Sequence, residues 1–314
     1  PKAGFMSDAE DSQAYTVHTS IQGAKNDKAA HDGSLFSDRP GKSTLTLSET
    51  PGLLFKRIPA LHENSFLLIE HKDKWHNIPA SLVELALYIG NNATTAIEKD
   101  NGLFFYIPKT RHLQDLKTIG KLQDELTKFY PQTSHQIFNT VLIENPRALQ
   151  DIEGILAEKN TAAINQGVWD YQQYYLASTT VPRSKLNMLP KSTQDSITSK
   201  TTFSDRHLIP SAPFMTAYKQ LTCRTASNFN KIVEGGMDTR IPDQENRREQ
   251  GKKAESGKQH SALLNTLRDW SGHPDITPYC AKPFATKRAF TASLTPFRKK
   301  MSKNDLKDSF RHFT

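Results

Sequence analysis

Phe66-Leu67-Leu68-Ile69, the stretch 78–89, and Leu103-Phe104-Phe105-Tyr106-Ile107 are the densest apolar segments of the chain, and the fold reading starts there. The first is a run of strand length. The second carries Pro79 where a helix begins and Gly90 where one ends, positions these residues favour. The third leaves the turn pair Asn101-Gly102 and reads as a second strand. Together they predict a small strand–helix–strand core unit on which flanking helices pack.

Around this unit the periodicity is helical. Leu113, Leu116, Ile119, Leu122, Leu126 and Phe129 recur every three or four residues, one face of a helix ended by Pro131. Residues 137–142 read as a short helix, and Asn145-Pro146 as the cap and first position of another, with Leu149, Ile152 and Ile155 on its buried side. Residues 162–176 continue the helical reading through Trp169, Tyr171, Tyr174 and Tyr175. From Pro213 a second helical unit runs to Gly235-Gly236, taken as its stop. Residues 237–258 carry both charge signs so densely that they read as a solvated loop or an exposed helix face. A clearer helix follows at Leu263, Leu264, Leu267 and Trp270, stopped by Gly272. The predicted class is α+β and predominantly helical.

The expected organisation is a loop-rich arm over residues 1–50, a core unit over 51–177, and a linker or long loop over 178–210. A second helical unit covers 211–280 and a basic tail covers 281–314. At 314 residues, 36% of them hydrophobic, the chain is long enough for a real core with long polar loops. No apolar run approaches the roughly 18 residues of a membrane span, and the first residues lack the apolar region of a secretory signal. Two cysteines, Cys223 and Cys280, make neither a disulfide framework nor a zinc site and suit a reducing compartment. Residues 281–314 hold nine basic and two acidic residues, so most of the net charge of +8 sits in that tail. A basic tail on a near-neutral body suits a local anionic contact: an acidic protein surface, membrane headgroups or, as a further alternative, nucleic acid stacked on the tyrosine cluster.

One stretch offers chemistry. Ser256-Gly257-Lys258-Gln259-His260-Ser261 stands before the expected helix over 262–270, and a Gly-containing turn entering a helix presents free amides and a positive dipole end to an anion. Ser256, Gly257, Lys258 and Arg268 are the expected phosphate-binding residues, with His260 as a base and Ser261 as a hydroxyl at the helix cap. The stretch resembles the phosphate loop of bacterial phosphoinositide phosphatases, Cys-x-Ser-Gly-Lys-Asp-Arg-Thr. Ala254 stands at the nucleophile position and His260 at the arginine position, so the resemblance implies a phosphate-binding loop without phosphatase activity. Gly41-Lys42-Ser43-Thr44 lacks the upstream glycine of a P-loop, where Phe36 stands. Cys223 beside Arg224 reads as a core thiol. No histidine pair has metal-ligand spacing, so no metal is expected, and no signature names a cofactor.

The composition, rich in Lys, Asn, Gln, Ser and Thr, looks like that of effector proteins injected by intracellular bacteria. The functional expectation is a host-directed effector, secreted to act in the host cytosol, that works on a phosphorylated or nucleotide-containing substrate by phosphoryl or nucleotidyl transfer. The alternatives are a non-catalytic binding module acting through residues 281–314 and a nucleic-acid binder.

Overall fold

The computed structural model describes residues 4–37, 45–46, 52–62, 65–99, 102–133, 136–179 and 213–285. The chain divides into two compact units, Pro1–Leu142 with Ala157–Ala162, and Ile143–Leu156 with Ala163–Thr314.

In the first unit β1 (Phe5–Asp8) leads to α1 (Val17–Asp32), the short pair β2 (Phe36–Ser37) and β3 (Leu45–Thr46), and β4 (Leu54–Arg57). An antiparallel ribbon of β5 (Phe66–His71) and β6 (Lys74–Pro79) follows. Then α2 (Ala80–Glu98), β7 (Leu103–Ile107), α3 (Leu113–Thr127) and β8 (Ile137–Ile143) alternate. β1, β4, β7 and β8 pair in that order, each pair parallel.

The second unit holds α4 (Pro146–Gln150), α5 (Ile152–Ala157), β9 (Thr161–Gln166), α6 (Val168–Thr179) and α7 (Pro213–Asn228). β10 (Ile232–Asp238), α8 (Arg247–Leu263), β11 (Arg268–Ser271) and α9 (Thr277–Ala285) complete it. β9, β10 and β11 pair in chain order, again parallel. Strands that follow one another in the sheet are joined through helices, the repeat of a barrel-type α/β fold. This overturns the predominantly helical α+β expectation.

Three strands stand where the sequence pattern predicts helix. Ile137-Phe138-Asn139-Thr140-Val141-Leu142-Ile143 is buried at six of its seven positions, because a parallel strand is covered on both faces and loses the alternation that marks a half-exposed one. β9 is short and rich in small residues. β10 contains Gly235-Gly236 in its interior, not at a helix stop. A Cβ on Gly235 would lie 2.4 Å from Asp269 Oδ1, so the carboxylate on β11 leaves room only for glycine. Of the 237–258 segment, the part from Arg247 is helical, in α8, in keeping with its reading as a loop or exposed helix face, and α1 lies within the expected N-terminal loop region.

The expected strand–helix–strand core unit is not formed, because β5 pairs with β6 in a separate ribbon and not with β7. β7 is central and wholly apolar. Phe66 and Leu68, however, sit on a hairpin at 47% and 53% exposure, closed by Lys72 and Asp73 with φ of 50° and 59°, the twist that tight hairpins need. α2 passes Gly90 and continues to Glu98, packing Leu85, Tyr88, Ile89, Ala93 and Ala96 against Leu103, Phe105 and Ile107. The expected helix at Asn145 is present, with Asn145 Oδ1 accepting from the Arg147 and Ala148 amides.

Between β4 and its helices lies a buried ion cluster: Lys56 Nζ is 2.9 Å from both Asp27 Oδ2 on α1 and Glu84 Oε2 on α2. Lys56→Ala strands two carboxylates in the interior and should cost roughly 3–5 kcal/mol. Lys159→Ala, which breaks an exposed pair with Asp124, should stay within about 0.5 kcal/mol. Denaturant midpoints at constant slope measure both.

Candidate functional site

In a fold of parallel strands the loops at the carboxyl ends hold the chemistry, because the strands fix their roots. In the first unit Arg57 closes β4. Its guanidinium lies 3.2 Å from Asp8 Oδ2 and 2.8 Å from Asp11 Oδ2, and it also pairs with Glu10. Lys109, just beyond β7, reaches the same carboxylate, Nζ to Glu10 Oε1 at 3.1 Å. Burial raises the Glu10 carboxyl from 4.5 to about 7; Arg57 and Lys109 pull it down and Asp11 pushes it up.

A cleft opens beside this cluster, lined by Pro59, Leu61, His62, Lys109, Thr110 and Asp115. His62 Nε2 is 2.6 Å from Asp115 Oδ1, while Asp115 Oδ2 accepts from the Arg111 and His112 amides at the start of α3. Thr110 is buried, and its hydroxyl has no hydrogen-bond partner among the described residues. Lys109 has φ of 48°, a left-handed backbone that a side chain adopts at a cost of about 1 kcal/mol.

In the second unit Glu144 follows β8 directly and is buried. The loop after β9 crosses it closely: a Cβ on Gly167 would lie 2.3 Å from Glu144 Cβ. Gln166, which ends β9, donates to Thr222 Oγ1 at 2.7 Å and to Cys223 Sγ at 3.3 Å. Asp238, which ends β10, accepts from the Arg240 amide at 3.1 Å and pairs with its guanidinium. Between β11 and α8 a second buried pair forms, Lys258 Nζ to Asp269 Oδ1 at 3.0 Å, with Lys258 also donating to Gly236 O at 2.6 Å. Burial raises Asp269 to about 6 despite that lysine.

The residues predicted to form an anion loop lie elsewhere in the fold. Ser256, Gly257, Lys258, His260 and Ser261 are all inside α8. Ser261 is in its last turn, where its carbonyl accepts from the Leu264 and Thr266 amides. The expected helix start is a helix end, and the dipole there has the opposite sign. Lys258 is bound inward, and Arg268 opens β11, paired with Glu234 Oε1 at 2.5 Å. Burial and Lys219 lower the His260 pKa. Cys223 is buried and pushed up to about 12, a protonated core thiol. Tyr171 is buried and stacked on Tyr218 at 4.1 Å, so it is not available to a base. The linker over 178–210 and the basic tail lie almost entirely outside the described residues. Among the described residues no group of three or more His, Cys, Asp or Glu side chains is gathered as for a metal ion.

Comparison with known proteins decides the family. Residues 54–306 match the malate synthase TIM-barrel domain. The chain belongs to the malate synthase family. It is 27% identical to malate synthase A of Escherichia coli (strain K12) over 279 residues, 87% of this chain and 48% of that protein. It is 27% identical to the glyoxysomal malate synthase of Brassica napus over 299 residues, 90% of this chain and 48% of the relative. The chain thus spans about half the length of the curated relatives it matches. A malate synthase of Haloferax volcanii, solved as a lead(II) complex, shares the fold at a TM-score of 0.54 and 15% identity, covering 99% of this chain and 75% of that one.

Membership of the malate synthase family overturns the effector reading, with its host cytosol and its phosphoryl or nucleotidyl transfer: the relatives are malate synthases, that of Brassica napus glyoxysomal by name. The charged strand ends carry a sequence pattern of their own. In Ile107-Pro108-Lys109 and Ile143-Glu144-Asn145-Pro146 a charged side chain follows an apolar run, at the strand end where this kind of fold places its functional loops.

The buried acid at the first site makes stability depend on pH. Folded Glu10 holds its proton more tightly than the unfolded chain does, so its contribution is whole below about pH 4.5 and is lost as pH rises to about 7. Glu10→Gln should therefore flatten the fall in stability between pH 5 and 8 by on the order of 1–3 kcal/mol. Denaturant titrations of both proteins across that range test the difference, and parallel curves contradict it.

Proposed function

We propose that this chain supplies the barrel of an enzyme that condenses acetyl-CoA with glyoxylate to give malate, the reaction of its family. The match over residues 54–306 carries the reading, supported by the arrangement of charged groups at the strand ends. The chemistry makes three demands. A base must take a proton from the acetyl methyl group, a cation or donor must hold the glyoxylate carboxylate, and the aldehyde oxygen must be stabilised as it gains charge.

The strand ends offer groups for these tasks. Glu10, whose carboxyl titrates near neutrality, is matched to proton transfer at working pH. Lys109 and Thr110 line a small cleft beside that carboxylate, a cation and a hydroxyl of the kind that hold a carboxylate. In the second unit, taken by itself, Glu144 is a carboxylate at the end of β8 that Gly167 passes closely.

Release of CoA thiol, followed with a chromogenic disulfide, tests the reading on the full chain. Release should require glyoxylate as well as acetyl-CoA and yield malate; release that ignores glyoxylate overturns the proposal. Glu144→Gln, nearly isosteric, should lower kcat at least about 100-fold with little change in melting temperature. Unchanged turnover would mean that Glu144 takes no part in the reaction.

A further inference from the structure

We propose that Lys219, on the buried side of α7 in the second unit, is a carbon dioxide site, its side-chain amine taking up the gas reversibly as a carbamate that pairs with Lys258. Lys219 is only 7% exposed, yet among the described residues its Nζ makes neither a hydrogen bond nor an ion pair. A buried ammonium in that position is costly, because no partner replaces the water it gives up. Three elements pack charged or titratable groups around it: Cys223 on α7 itself, Lys258 and His260 on α8, and Asp269 on β11. Lys258 Nζ holds Asp269 Oδ1 at 3.0 Å, whereas Asp269 Oδ2 is buried with no hydrogen-bond partner among the described residues. Lys219 and Asp269 interact through their charges without forming an ion pair, so a gap separates them. A nitrogen and a carboxylate oxygen are thus both left open in one buried cluster.

The surroundings favour the uncharged amine. Burial lowers the Lys219 pKa, Asp269 opposes that, Lys258 adds to it and Cys223 opposes it. An uncharged lysine amine is a nucleophile, and at this depth its electrophile has to be small and uncharged. Carbon dioxide is both. The Nζ lone pair forms a bond to its carbon, one C–O π bond opens onto oxygen, and the nitrogen gives up a proton that Asp269 Oδ2 accepts. Nothing is oxidised or reduced. Asp269 suits the task, since burial raises its carboxyl to about 6 even beside Lys258. The cluster holds one cation and one anion before and after the step. Lys258 faces the Asp269 carboxylate in the free form and the carbamate in the loaded form, where the added group extends Lys219 across the gap and makes a charge-assisted hydrogen bond.

The inference is independent of the condensation reading, and its test needs no turnover. The full chain is equilibrated with carbon-13 bicarbonate at pH 7, the carbamate is fixed by alkylation with a trialkyloxonium salt, and the label is located by peptide mass spectrometry. An ordinary lysine is less than about one part in a thousand neutral at that pH, so exposed lysines should stay unlabelled. Label should appear at Lys219, and the matching carbamate carbon resonance should be missing from Lys219→Met, close in volume, and from Lys219→Arg, which stays charged. By mass action the melting temperature of the parent should rise with dissolved carbon dioxide at fixed pH and ionic strength, and that of Lys219→Met should not. Lys258→Gln, which removes the counter-ion, should weaken labelling several-fold; should that variant not fold, the parent and Lys219→Met still decide the matter. Folded parent without label at Lys219, label spread over exposed lysines in the same proportion, or a melting response that Lys219→Met shares overturns the proposal.

Discussion

Lys56 is the residue on which the first unit depends. A fully buried ammonium is tolerable only where carboxylates meet it in good geometry, and here Asp27 and Glu84 do so from two different helices. The three groups leave one negative charge in excess, and Gln13 Nε2, donating to Glu84 Oε1 at 2.8 Å, helps to stabilise it. An apolar β4 could slide against α1 and α2 at little cost. A charged one cannot, because any shift separates the ammonium from one partner and leaves that partner buried alone. The ion cluster thereby fixes the register of β4 beneath both helices.

The period of a strand carries this constraint to the chemical edge. Successive side chains leave a strand on opposite faces, so with Lys56 turned to the helices Arg57 turns the other way. There it meets Asp8, Glu10 and Asp11 at the end of β1. The second unit repeats the device independently. Asp269 on β11 faces α8 and pairs with Lys258, while its neighbours Arg268 and Trp270 both reach Glu234 on β10. One charged residue anchors the helix layer, and the next in sequence serves the opposite face of the strand.

That logic also explains what the sequence could show. β7, α3 and the Asn145 cap are local events: an apolar run after a turn, a one-sided stripe, and a capping side chain followed by proline. They are legible because nothing distant is needed to form them. β8, β9 and β10 are strands only because helices cover both faces, so their patterns lack the period of two and lend themselves to a helical reading. Gly235 and Gly236 resemble a helix stop until Asp269, far away in sequence, supplies their reason. α8 is the converse case. Its charge density hid it, and its inward side shows only as Gly251, Ala254, Lys258 and Ala262, small residues and one lysine that no apolar count detects. Lys258 was singled out as a phosphate ligand because its carboxylate partner arrives from the next strand.

The candidate site was illegible for a related reason. A loop motif such as a phosphate cradle lies within a dozen consecutive residues, and a search by motif finds it or finds nothing. The groups at this site come one or two at a time from the ends of β1, β4 and β7, and only the parallel sheet brings them together. What each strand contributes is a charged or hydroxylated residue just past its last apolar position, such as Arg57, Lys109 or Thr110. Those positions are weak signals singly and a strong one jointly, because burial at the mouth of the sheet makes every unpaired polar atom costly. The cost is why burial raises the Glu10 carboxyl to about 7 even beside two cations.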